Sequence, residues 1–469
     1  MIWVLRVLWA VGAILLFGVA VLVHEYGHFL AARLLGFKVD AFSIGFGPAI
    51  AKWRRGGVEY RIGCVPLGGY VALPQLDPSE MDVIQGKHEQ GKDHPPIPSV
   101  APWKRIIVAV AGPLGNVVLA VVVAFVIYFI SSPEDFGGVG VTIGRVEAGG
   151  PAEAAGLRVG DRLVTFGGNR VSCWNEVVVE CILGAGAGDA IDAVVDRGGE
   201  RVALSIPVKT DDNTGYADIP GVSPRIKCQV GDFSDVSTAR EAGVGRGDVI
   251  LAIDGVELND PADMAMRIAA GGCETRQFLI RRFRGGKVET LSFAPRMDEE
   301  LGRPMVGIVF ADTEAANQSW MMYRRPSLQI SNDAKSILRI LRALFAPKAK
   351  GEATRAAKGM GGAVTLFVVF WLQIQAGLIH TLAFLRYLCI NLAIINILPL
   401  PVLDGGHVMF ALLEIVTRRK PSAKLIGWIY NIFAVLLISL MAILILRDAF
   451  RLNQMFRRSR PAAVEETAE

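Results

Sequence analysis

Charge is what this sequence has least of. Asp, Glu, Lys and Arg make up only 20% of its 469 residues, against 52% hydrophobic. The apolar excess is gathered into runs, which points to membrane spans and excludes a soluble chain built around one large core. The net charge of +4 is too small to argue for nucleic acid, and no aromatic-basic cluster accompanies it. Cysteine is also scarce. Cys64, Cys173, Cys181, Cys228, Cys273 and Cys389 lie far apart with no C-x-x-C pair. That excludes a zinc-thiolate site and any obvious disulfide framework, leaving Cys173–Cys181 as a bridge the spacing permits. No A-x-A-like cleavage site precedes a plausible mature domain, so the N-terminal apolar run is read as a retained span and not a signal peptide.

Four stretches match the roughly 20 residues that a hydrocarbon core requires. They cover about 8–30, 106–130, 376–402 and 425–446. Between the second and third lies a region rich in Gly, Val and turn signals that reads as many short strands. It contains a repeat: Ala155-Gly156-Leu157-Arg158-Val159-Gly160-Asp161 recurs 87 residues on as Ala242-Gly243-Val244-Gly245-Arg246-Gly247-Asp248. Both copies resemble the glycine-aspartate signature of bacterial PDZ domains, which take extended peptides by strand addition. The expected fold class is a polytopic α-helical membrane protein with a membrane-associated β-hairpin and two inserted β-rich PDZ domains. The expected order is a first transmembrane helix (1–36), a cytoplasmic-side loop with a hairpin (37–101) and a second span (102–132). PDZ domains over 137–210 and 218–312 follow, then an amphipathic segment (327–375), spans at 376–404 and 425–446, and a solvated tail (447–469). In the amphipathic segment, Ile337, Leu341 and Leu344 form a stripe away from Lys335, Arg339 and Arg342. Such a helix suits either the membrane interface or a face of the second PDZ domain.

The chemistry sits inside the first span. His24-Glu25-x-x-His28 follows an apolar run from Ala13 to Val23. Residues i and i+4 share a helix face, so the two imidazoles can clamp one Zn²⁺, with Glu25 one step along as the base that takes a proton from the attacking water. An ionisable group inside a span is costly and is functional by default. Counting spans supplies a third ligand. Spans one and three run in the same direction, and Asp404 lies near the C-terminal end of the third, as His24 and His28 do in the first. Pro399 and Pro401 break that third span and call for a polar cavity around the freed backbone, where Asn396 can donate to a peptide backbone or, equally well, hydrogen-bond a neighbouring helix. His407 is close enough in sequence to support Asp404.

Arg33, Lys38, Lys52, Arg54, Arg55, Arg61, Lys104 and Arg105 share one side of the membrane with Arg418, Arg419, Lys420 and Lys424. That side is expected to be cytoplasmic, and the repeats extracytoplasmic, although Arg324, Arg325 and the tail arginines then fall on the opposite side. Period-2 alternation through Val58, Tyr60, Ile62 and Cys64 after Gly56-Gly57 reads as a hairpin whose edge can pair with an unwound substrate.

Taken together, HEYGH at 24–28, GFGP at 45–48, EYRIGCVPLGGYV at 59–71, PWKR…AGPLGN at 102–116, both PDZ signatures and NILPLPVLDGGH at 396–407 resemble the site-2 protease family of intramembrane zinc metalloproteases. The match is strongest to its regulator-of-sigma-E branch. The resemblance implies Zn²⁺ held by His24, His28 and Asp404, with Glu25 as the catalytic base. It implies a substrate path along Asn396, Pro399 and Pro401 and along the hairpin at Tyr60, Ile62, Gly68 and Gly69. It also implies an inner-membrane, multi-pass enzyme with its active site toward the cytoplasm. Its substrates would be single-span proteins such as an anti-sigma factor, cut after a first extracytoplasmic protease, and remnant signal peptides. The PDZ pair would act as a size filter with peptide or protein ligands of its own. One departure is the stretch Gly359-Met360-Gly361-Gly362-Ala363-Val364, which lacks the family's usual proline. The alternative is a catalytically silent PDZ-bearing membrane scaffold, which need not keep Glu25 or Asp404.

Overall fold

The computed structural model describes residues 2–76, 100–131, 140–184, 190–210, 217–283, 285–298, 302–310, 319–347, 352–359, 361–419 and 422–458. His88, His94 and most of the long loop after the hairpin lie outside them, as does the glycine-rich stretch 137–139. In chain order the main elements are α1 (Ile2–Leu34), β1 (Ala41–Arg55), β2 (Val58–Ala72) and α2 (Pro102–Ile130). Two β-rich repeats follow, each with one long helix, α3 (Trp174–Gly184) and α4 (Pro261–Gly271). Then come α5 (Pro326–Phe345), α6 (Glu352–Gly359), α7 (Ala363–Ala376), α8 (Leu378–Asn396), α9 (Asp404–Thr417) and α10 (Ala423–Arg458). The chain forms two compact units, one of 1–131, 323–338 and 360–469, the other of 132–322 and 339–359.

The first unit holds four helices long and apolar enough to cross a membrane: Ile14–Leu34, Pro102–Ile130, Leu378–Asn396 and Leu425–Asp448. As helices, these lipid-length apolar runs pair their backbone groups within the segment, apart from the helix ends and the proline at Pro113, which is the condition for spanning. α1 and α2 pack closely because glycine removes the side chains between them. A Cβ on Gly27 would come within 2.3 Å of the Ala111 carbonyl oxygen, and one on Gly115 within 2.8 Å of that of Val23. The third span is shorter than the expected 376–404. It ends at Asn396, because Pro399 and Pro401 carry no N–H to continue a helix, and Asp404 opens the separate helix α9. Gly377, at φ 120°, separates α7 from α8.

β1 and β2 are both bent, so the hairpin forms more than one ladder. Residues 59–62 pair with Ala51–Arg54 on one flank and with Ala41–Ile44 on the other, and Ala41–Ile44 pair in turn with Gly69–Ala72. The base is cored by Phe29, Phe37, Val39, Phe42, Val71 and Leu73.

In the second unit each repeat folds around its own apolar cluster, with Leu163, Phe166, Val195 and Ile206 in the first and Ile250, Phe278, Ile280 and Phe293 in the second. The first contains a four-stranded sheet in the order 169–170, 162–166, 190–197, 200–207. In the second the path runs 288–293, 276–281, 249–253, 228–233, 308–310, with 256–257 added on 249–253. The repeated Gly-Asp has a structural job. Asp161 Oδ2 accepts from the Arg158 amide (2.9 Å) and from Arg197 (2.7 Å), which also donates to the Gly156 carbonyl (2.7 Å). Asp248 Oδ2 accepts from the Gly245 amide (2.9 Å) and from Arg282 (2.7 Å), which donates to the Gly243 carbonyl (2.7 Å). The carboxylate thus closes the same turn in both copies. Cys173 and Cys181 are buried free thiols, so the bridge that their spacing permits is absent.

The C-terminal part of α5 packs on the first repeat, where the sequence had suggested the membrane interface or the second. Arg339 donates to both carboxylate oxygens of Glu180 on α3 (2.9 and 2.8 Å) and to Glu352 (3.0 Å), while Ala343 and Ala356 cover Leu183. In the second repeat a groove of about 310 Å³ opens between α4 and the edge strand 308–310, lined by Ala265, Ile268, Met305, Val306 and Ile308.

Candidate metal centre

Helical periodicity brings His24 and His28 to one face of α1, both nearly buried at 9% and 7% exposure. Their Nε2 atoms stand 3.2 Å apart. Asp404 reaches them from the first turn of α9, with Oδ2 3.2 Å from His24 Nε2 and Oδ1 3.3 Å from His28 Nε2. Local packing fixes that approach. Gly405 and Gly406 sit against the carbonyls of Ile397, Leu398 and Leu400, where a Cβ would come within 2.1–2.5 Å of an oxygen, so only glycine lets the 397–403 turn deliver Asp404. Asn396, the last residue of α8, places its amide nitrogen 3.4 Å from His24 Nε2.

Simple ion pairing does not explain this cluster, since it would require two imidazolium groups 3.2 Å apart, repelling one another. His28 Nδ1 lies 2.7 Å from the Val108 carbonyl and donates its proton there, which leaves Nε2 as a lone pair. Asp404 Oδ2 is buried with no hydrogen-bond donor. Two imidazole lone pairs and a carboxylate therefore converge, all within 4.8 Å of one another, and what they lack is a cation. Two nitrogens and a carboxylate oxygen suit Zn²⁺ with one position left open.

Glu25, one residue beyond His24, faces the hairpin. A Cβ on Gly69 would come within 2.9 Å of Glu25 Cγ and 2.7 Å of the Ser43 carbonyl, and the Val71 amide donates to the Glu25 carboxylate. Gly68, at φ +119°, lies against the Phe46 ring. Tyr60 sits in an aromatic stack with Trp53 at 5.7 Å, Phe42 at 6.1 Å and Phe29 at 6.2 Å, and Ile62 stays partly exposed. Because residues 59–62 are paired on both flanks, the strand next to Glu25 is 69–72 and not the one bearing Tyr60 and Ile62. Pro399 is exposed and Pro401 is buried beneath Gly406. His407 lies with both ring nitrogens 3.4 Å from the Tyr430 hydroxyl of α10. Sequence reasoning overlooked the contribution of α2, namely Val108, Gly112 and Asn116. The signal was available, because an asparagine in an otherwise apolar span needs a partner.

A His-x-x-x-His pair on a membrane helix, joined by a carboxylate 376 residues further on and flanked by a half-buried glutamate, is the arrangement of a membrane-embedded metallopeptidase. The chain belongs to peptidase family M50, whose model matches residues 12–440. It is 27% identical over 480 residues to the Regulator of sigma-E protease RseP of Escherichia coli K12, covering 96% of this chain and 100% of that one. It is 29% identical over 431 residues to a putative zinc metalloprotease of Xylella fastidiosa (strain Temecula1), covering 88% and 93%. Among solved structures, a PDZ domain of an SdrC-like protein from Listeria monocytogenes covers 18% of this chain and 86% of its own at 23% identity, with a TM-score of 0.16 too low to inform the fold. The protein is an intramembrane zinc metalloendopeptidase of the site-2 protease type, with Zn²⁺ as its cofactor, and it resides in the inner membrane.

Proposed function

We propose that His24, His28 and Asp404 hold the zinc and that Glu25 is the general base for hydrolysis of peptide bonds inside the span of a single-pass membrane protein. The convergence of Asp404 on the two histidines beside Glu25 carries this reading. Bound there, Zn²⁺ supplies a Lewis acid that activates water and polarises the scissile carbonyl. Glu25 takes the proton of the attacking water on its carboxylate and returns it to the departing amide nitrogen. Asn396 donates to the backbone of the extended substrate, and the turn at Pro399 and Pro401 keeps its path open. The strand 69–72 offers its free edge to the unwound helix, with Gly68 and Gly69 allowing close approach and with Tyr60 and Ile62 supporting the sheet behind it.

In this reading the catalytic side faces the cytoplasm and the PDZ domains lie outside it, which the basic loops support. The apolar groove of the second repeat, bordered by an edge strand, suits a peptide end taken by strand addition. On this reading the substrate is an anti-sigma factor already shortened by a first protease, with the PDZ pair filtering by size and remnant signal peptides as a second class; the Escherichia coli relative's name, a regulator of sigma-E protease, is in keeping with it. The test is co-expression with a tagged single-span substrate. Cleavage should occur with the native chain and vanish with Glu25→Gln while zinc is retained; persistence of cleavage in the Gln variant refutes the assignment.

A further inference from the structure

The second span does more than pack. Val108, Gly112 and Asn116 recur every four residues along α2 and so form one stripe on its face toward α1. Each meets the histidine pair. The Val108 carbonyl takes His28 Nδ1–H at 2.7 Å. Gly112 makes room for the same ring, since a Cβ there would lie 2.2 Å from His28 Nε2. The Asn116 amide stands 3.3 Å from His24 Nδ1.

Asn116 is fully buried in a span, and its Oδ1 has no hydrogen-bond partner. His24 turns Nε2 toward Asp404 and His28, so a neutral ring must carry its proton on Nδ1, and that N–H needs an acceptor. With Nδ2 facing Nδ1, two donors oppose each other and the oxygen stays orphaned. A half-turn of the amide gives the N–H its acceptor and the oxygen its donor. From this geometry we infer that Asn116 is a positioning residue for zinc binding: its Oδ1 accepts from His24 Nδ1, fixes the tautomer and holds the ring so that Nε2 meets the metal. His28 is held in the same way by a backbone carbonyl, which no side-chain substitution removes. His24 therefore depends on a side chain where His28 does not. The inference rests on His24 being a zinc ligand.

The test uses the full chain in detergent and reads the zinc dissociation constant by chelator competition, with gel filtration reporting the fold. Asn116→Leu should weaken zinc about 10–100-fold, the usual effect of losing such a partner. Asn116→Asp, which keeps an acceptor, should hold zinc at or near native affinity. With Co²⁺ in place of zinc, the visible absorption of the Leu variant should shift while that of the Asp variant stays close to native. If Asn116→Leu does not fold, Asn116→Ala reads the same quantity. Native affinity in a folded Leu or Ala variant overturns the inference, as does equal loss in Asp and Leu. A native chain that binds no zinc, or a His24→Ala variant that binds it unchanged, would instead refute the metal site itself.

Discussion

Asp404 and Asp333 are two carboxylates of the same membrane unit, the first half-buried and the second fully buried, with opposite surroundings. Asp333, on α5, is fully buried against Arg386 of α8, which donates through Nε to Oδ2 at 2.7 Å and through a terminal nitrogen to Oδ1 at 3.3 Å. Gln329 accepts from the same guanidinium at 2.5 Å. The chain itself provides the counter-charge and ties α5 to the third span. Asp404 meets two imidazoles whose facing nitrogens are lone pairs, and one of its oxygens is an orphan. A structural carboxylate is satisfied by protein, whereas one that serves a ligand is left wanting a cation. On the proposed assignment, the cost of burying unpaired charge at Asp404 is offset by a metal in the place that Arg386 takes for Asp333.

The sharpest way to break this contrast is to remove each carboxylate's partner. Asp404→Ala should abolish zinc binding and lower cleavage by about 10³-fold or more, the several kcal/mol that a Lewis acid contributes to the transition state. With no protein cation left stranded, the metal-free thermal midpoint should hold or rise. Metal analysis and thermal scanning of metal-free protein check both halves, and unchanged zinc content would remove Asp404 as a ligand. Arg386→Met should do the reverse, destabilising the fold by about 3–5 kcal/mol because Asp333 is left buried and uncompensated. The double variant Arg386→Met, Asp333→Leu should recover most of that loss. Zinc per folded molecule should stay native in both, as measured by unfolding in mixed micelles alongside metal analysis.

How much of this contrast was legible in the sequence depends on how far apart the partners lie. His24, Glu25 and His28 could be placed together because four residues make one helical turn. Asp404 could be placed with them because span counting fixes depth and direction. Arg386 and Asp333 are 53 residues apart on different helices, and no periodicity links them. Asn116 escaped for a related reason. Its role depends on where α1 crosses α2, and that crossing is set by the close approach at Gly27, Gly112 and Gly115. The break after Asn396 was signalled by Pro399 and Pro401, but the start of a new helix at Asp404 depends on Gly405 and Gly406 nesting into the 397–403 turn. The hairpin's alternation was readable, whereas its bending, which leaves residues 59–62 paired on both flanks, was not.

A third carboxylate, Asp448, refines the comparison at smaller scale. Asp448, near the end of α10, accepts from the amides of Gly362 (3.2 Å) and Thr365 (2.9 Å), so it caps the start of α7 from another helix. Here the donors are backbone N–H groups and no cation is needed. Asp448→Ala should cost about 1 kcal/mol of stability and Asp448→Asn less, with zinc affinity unchanged. A drop in zinc content on either substitution would show that the α7–α10 joint and the metal site are coupled.

The smallest effect concerns the carboxylates that close the PDZ turns. Burial pushes Asp161 up, but hydrogen bonds from Arg197 and the Arg158 amide outweigh it. At Asp248 burial is likewise outweighed by the Phe283 and Gly245 amides and by Arg282, so both groups titrate below the usual carboxylate range. A carboxylate with a depressed folded-state pKa adds stability that is complete above its unfolded pKa, about 3.9, and is lost as pH falls through the folded value. The two repeats should therefore keep their stability from neutral pH down to about 4 and lose it in more acidic solution. Hydrogen exchange of residues 140–310 in the full chain, corrected for the intrinsic pH dependence of exchange, reads this locally. Asp161→Asn should lower protection of the first repeat at neutral pH and flatten its acid dependence, leaving the second unchanged. The Asp248→Asn variant should show the mirror pattern. Equal acid sensitivity in native and variant repeats would mean that the Gly-Asp turn is held by its backbone bonds alone.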